Sequence, residues 1–128
     1  MTLTVRTIVT DALRDAGLVD INRTPDSVEA DSALSMLNRM ALAWPAQGIH
    51  TGWAEVTVDS DFPLEDMHRE GVTAMLVEKL AAARGGVTPD QKNAANRGYS
   101  LLAADFKVLE PLRVEPGLQG MPSQRWYW

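Results

Sequence analysis

At 128 residues the chain is long enough for one domain that buries its own core, and it has no cysteine, which excludes a disulfide framework and a thiolate metal site. No apolar run approaches the roughly 18 residues of a membrane span, and Met1 to Arg14 lack a signal-peptide pattern; a soluble protein with no membrane partner is expected, kept in the cell that makes it or in a particle built there. The net charge of −5 is concentrated in one stretch, where Glu55, Asp59, Asp61, Glu65, Asp66 and Glu70 are answered only by Arg69, and such a surface disfavours tight non-specific DNA binding.

Four helices are expected. Val5, Ile8, Val9, Ala12, Leu13 and Ala16 fall on one stripe at helical spacing, and Gly17 is a natural terminator. A second helix opens at Thr24-Pro25-Asp26, read as an N-cap with proline in the first turn. Its stripe is Ala30, Ala33, Leu34, Leu37, Ala41 and Trp44, and Pro45 to Gly48 end it. Asp26, Glu29 and Asp31 near its start and Arg39 nearer its end follow the order the helix dipole prefers.

Residues 49–63 read as an extended acidic loop. Within it Glu55-Val56-Thr57-Val58-Asp59 alternates polar and apolar, the signature of one short strand. A lone strand needs a partner, either a tail segment such as Arg113-Val114-Glu115 or a neighbouring subunit. His50, Trp53, Val56 and Val58 are the loop's candidate contact residues, although a loop tryptophan folded over its own core is equally common.

The third helix follows Phe62-Pro63-Leu64, runs to Arg84 and stops at Gly85-Gly86. Its apolar side is Leu64, Met67, Val72, Met75, Leu76 and Leu80. The fourth opens at Thr88-Pro89-Asp90 and turns Ala95, Tyr99, Leu102 and Phe106 inward, with Leu109 at the exit. Gly71 and Gly98 lie inside these helices, where a glycine costs about 1 kcal/mol against alanine. Tight helix crossings are expected at both.

From Leu109 the character changes: Pro111, Pro116, Gly117, Gly120 and Pro122 exclude a regular helix. Trp126-Tyr127-Trp128 then hold three of the eight aromatic side chains. Each large ring can bury roughly 150–250 Å², so such a segment either folds back or docks on another chain. Arg125 beside the rings completes the residue types enriched at binding hot spots, which favours docking. The expected architecture is therefore an all-α four-helix bundle over residues 1–108 with an extended loop, followed by an extended arm over 109–128.

Signals for catalysis are weak. His50 and His68 are the only histidines, and neither has a ligand partner at helical spacing. No serine lies in a nucleophile-elbow pattern, and Gly85-Gly86 lacks the lysine of a phosphate loop. No enzyme activity, cofactor or metal is expected. A helix-turn-helix is disfavoured by the long linker from Gly17 to Thr24 and by Asp26, Glu29 and Asp31 on the second helix.

The order of features resembles a known family. A short opening helix ends in Ala16-Gly17, and a second closes on Leu37-Asn38-Arg39-Met40 and Trp44 before Gln47-Gly48. An acidic loop, Phe62-Pro63-Leu64, and two alanine-rich helices joined by Gly85-Gly86-Val87-Thr88-Pro89 complete it. Over roughly Thr4 to Phe106 this resembles the head-to-tail connector adaptors of tailed bacteriophages, also called head-completion or packaged-DNA-stabilisation proteins. The resemblance implies a virion neck protein, assembled in the bacterial host cytoplasm, that forms a homo-oligomeric, dodecameric ring under the portal protein. Such a ring extends the DNA channel, lets DNA pass without specific contact, and offers a platform to a downstream tail or stopper protein. On that reading Leu109, Leu112, Arg113, Val114, Leu118, Arg125, Trp126, Tyr127 and Trp128 dock on the portal or another partner. His50, Trp53, Val56 and Val58 contact a neighbour or tail component, and Glu55, Asp59, Asp61, Glu65 and Asp66 face the channel. The competing reading is a DNA-binding packaging or regulatory factor; a cell-wall hydrolase would need a facing carboxylate pair that the sequence does not identify.

Overall fold

A computed structural model of the chain describes residues 3–107. Among these are four α-helices and no β-strand: α1 Val5–Asp15, α2 Ser27–Leu42, α3 Arg69–Arg84 and α4 Pro89–Phe106. Short 3-10 turns at Trp44–Gln47 and Asp66–His68 follow α2 and precede α3. The architecture is all-α, as the periodicity predicts. None of these helices is long and apolar enough to cross a membrane.

α3 is the hub. It packs against α1, α2 and α4, whereas α4 approaches neither α1 nor α2. The predicted α1 stripe is wholly buried, from Val5 through Ala16. It meets Ala33, Leu37 and Ala41 of α2 and Val72, Leu76 and Leu80 of α3 in one apolar core. Gly17, at φ 77°, takes the left-handed position that ends α1. The Arg84 guanidinium donates to the Ala16 carbonyl there, setting a cation at the negative end of the helix.

The two Thr-Pro-Asp starts are capped differently. Thr88 caps α4, its hydroxyl accepting from the Gln91 backbone N–H while the Gln91 side chain accepts from the Thr88 N–H. In α2 the cap is Asp26 rather than Thr24, and Pro25 lies before the helix. The reason is reciprocal capping, which needs a glutamate or glutamine three residues past the cap. Gln91 stands three past Thr88, but Glu29 stands three past Asp26. Glu29 is also clasped by Arg23 at 2.8 and 3.0 Å, and that hydrogen-bonded guanidinium holds its carboxyl below the usual range.

Two stripes are rotated from expectation. Met67 is exposed and His68 takes the buried place, because 66–68 is a 3-10 turn and α3 starts only at Arg69. A period of 3.6 extended back across that turn loses its phase. In α4 the inward face is Ala95, Gly98 and Leu102, and Tyr99 moves to the rim. The cause is backbone contact: a Cβ built on Gly71 would lie 2.9 Å from the Gly98 Cα, and one on Gly98 only 2.6 Å from the Gly71 Cα and O. Both glycines do mark a tight crossing, and they mark the same one.

Candidate functional site

Among the described residues the acidic loop pairs with no strand, yet it is held in place. The Asn38 side chain on α2 supplies what a neighbouring strand would: its Nδ2 donates to the Val56 carbonyl at 2.9 Å and its Oδ1 accepts from the Val56 N–H at 3.0 Å. The same Oδ1 accepts from the Trp53 indole N–H at 3.1 Å. An indole N–H can only donate, which fixes the orientation of the amide. In place of the predicted strand at Glu55–Asp59, a side-chain amide takes up both backbone groups of Val56, and the Thr57 N–H donates to the Ser60 hydroxyl.

Further along, the loop caps α1. The first free N–H groups of that helix, on Val5 and Arg6, donate to the Ser60 and Val58 carbonyls, each at 2.9 Å. Thr4 bridges Asp61, and the Phe62 N–H donates to the Leu3 carbonyl at 2.8 Å. Helix donors that would otherwise be orphaned are thus used to seat the loop. Arg6 adds an ion pair to Asp59 at 2.9 Å, and Arg69 pairs with Asp11 at 3.2 Å.

The loop's apolar residues turn inward. Trp53, a candidate contact residue for which burial over its own core was the equal alternative, is buried edge-on between Trp44 and Phe62, with ring centroids 5.7 and 6.3 Å away. Val56 and Val58 are partly buried against the core, and His50 is exposed. Glu55, Asp59, Asp61, Glu65 and Asp66 all face solvent. The arm residues Leu109, Leu112, Arg113, Val114, Leu118, Arg125, Trp126, Tyr127 and Trp128 lie outside the described residues.

Because α4 touches α3 but not α2, a trough of about 460 Å³ remains above α3. Met36, Met40 and Trp44 form one wall, Met75 the floor, and Ala95 and Tyr99 the other wall. Arg39, Glu78 and Lys79 stand at its edges. A second depression of about 540 Å³ lies on the other flank of α2, between that helix and the loop, with Asp31, Arg39 and Glu55 among its lining residues.

His68 has a partner that sequence spacing could not reveal. Its Nε2 lies 2.7 Å from Asp105 Oδ2 on the last turn of α4, and its ring packs on Phe106. The imidazole is buried and the carboxylate half-exposed. This pair ties the entrance of α3 to the exit of α4. Among the described residues no three His, Cys, Asp or Glu side chains gather as metal ligands.

No protein-family model matches the chain, and no curated protein matches it either.

Proposed function

We propose that the chain is a structural subunit of the head-to-tail connector of a tailed bacteriophage, an adaptor that forms a ring beneath the portal and offers a platform to the tail. The resemblance over Thr4 to Phe106 motivates this reading, and the seated acidic loop carries it. Asn38, Trp44, Trp53 and Phe62, which include residues that bear the resemblance, combine into the knot that fixes the loop to the bundle. Apolar side chains turn in and five carboxylates turn out. Repeated around a closed ring, such loops make a negative rim past which DNA slides without adhering. The arm beyond Leu109 supplies the portal anchor, its modest contact multiplied by the copies in the ring.

Imaging the full chain mixed with the portal ring of its own virus tests the proposal. A layer of added density beneath the portal is expected. Failure to bind, together with salt-dependent binding to duplex DNA, would replace it with the nucleic-acid reading. Truncation before Gly120 should leave a helical protein that no longer joins the portal; loss of helical circular dichroism would instead make the arm part of the core.

A further inference from the structure

We propose that the trough between α2 and α4 is the seat of the chain's own C-terminal segment, residues 118–128, in the free protein. The inference concerns the chain before it meets any partner, and it stands whether or not the adaptor reading does.

The exit point is the first reason. α4 ends at Phe106, and Lys107 forms an antiparallel bridge with Ile49. The Ile49 N–H donates at 3.0 Å to the carbonyl of Trp44, whose side chain lines the trough. The chain therefore leaves the bundle beside one end of the trough. A shallower depression of about 380 Å³, lined by Tyr99, Ser100, Ala103, Ala104 and Lys107, continues along α4 from the trough to that exit. Tyr99 belongs to both.

Length and local sequence permit the return. The stretch from Val108 to Trp128 carries three prolines and two glycines that deny it a continuous helix. Closing a loop of this size costs free energy that grows only with the logarithm of its length. Tethering then places the last residues near the trough at high effective concentration, which favours the chain's own tail over that of a neighbour.

Chemistry supplies the match. The trough presents Met36, Met40 and Met75, and thioethers pack well against aromatic ring edges. Trp126, Tyr127 and Trp128 are the largest apolar side chains of the segment, and their exposure to water is costly. At about 460 Å³ the trough lies within the size range of sites that accept a few large groups. Glu78, one of whose oxygens is paired with Lys92 at 3.2 Å, offers its other carboxylate oxygen to Arg125, while Arg39 and Lys79 offer cations to ring faces. A tail held in this way is sheltered until a partner with a better groove takes it.

The chain lacks cysteine, so an engineered pair reports proximity without background. Asn96 is exposed on the wall of the trough, and Ile21 is exposed on the connection between α1 and α2, neither of which approaches α4. The full-length double variants Asn96→Cys/Tyr127→Cys and Ile21→Cys/Tyr127→Cys are compared under mild oxidation, with helical circular dichroism checked for both. The first pair should close an intramolecular disulfide about tenfold faster than the second, at a rate independent of protein concentration. Equal rates would overturn the proposal. Covalent dimers formed by the trough pair at a concentration-dependent rate would overturn it too, and would assign the trough to a neighbouring copy.

Discussion

Toward α1 and α2, α3 belongs to a core of large side chains in which Ile8, Leu37, Leu76 and Trp44 are almost completely buried. Toward α4 it meets Gly98 with Gly71, backbone against backbone, and no side chain stands between them. The first contact is held by bulk and fails when atoms are removed, because a cavity remains. The second is held by closeness and fails when atoms are added. A single helix thus carries two packing regimes whose mutational responses have opposite sense. That difference also explains the trough: glycine contact seats α4 low on α3, apart from α2.

The largest expected effect lies on the side of bulk. Trp44→Ala should lower stability by about 3–5 kcal/mol in urea unfolding, since the ring is 2% exposed and supports Trp53. On the side of closeness, Gly98→Ala should cost about 1–3 kcal/mol although it removes nothing. The double variant Gly71→Ala/Gly98→Ala should cost less than the sum of the singles, because helices already parted by one methyl accommodate the second. Strict additivity would show that the two glycines act separately.

A smaller change should separate the loop from both regimes. Asn38→Ala deprives the Trp53 indole and both backbone groups of Val56 of their partner. A loss of about 1–2 kcal/mol is expected, limited because an opened loop reaches water. Trp53 fluorescence should shift to the red while helical content stays. Arg6→Ala should cost less than about 1 kcal/mol, since the pair with Asp59 is exposed on both sides. A larger loss would mean that the ion pair, rather than backbone capping of α1, seats the loop.

Much of the fold was legible in local spacing. The α1 stripe, the termination at Gly17, the interruption at Gly85 and the crossing glycines follow from periodicity and from the cost of glycine within a helix. The cap of α2 lies two residues beyond the Thr24 that Thr24-Pro25-Asp26 suggests, because the reciprocal partner Glu29 stands three residues past Asp26, a spacing visible in the sequence. A 3.6-residue period puts Met67 and Tyr99 inward, but it does not hold through a 3-10 turn or against a glycine contact, and both residues are exposed. The candidate site was less legible. Alternation around Val56 reads as a strand, and only tertiary structure brings Asn38, eighteen residues away, to occupy its hydrogen bonds. Asp105 likewise stands thirty-seven residues from His68, beyond any local pattern.

By itself the sequence determined the four helices, the stops at Gly17 and Gly85 and the apolar face of α1, because those choices are made by groups within a turn or two of one another. It also determined the localisation of acid between Glu55 and Glu70 and the absence of thiol chemistry. Only the tertiary structure decided that the loop is seated by an amide and a helix N-terminus, that Trp53 faces inward, and that α2, α3 and α4 together line a methionine-rich trough. Those outcomes depend on partners distant in the chain. Their energies arise from desolvated hydrogen bonds and steric contact, which exist only once the helices have met.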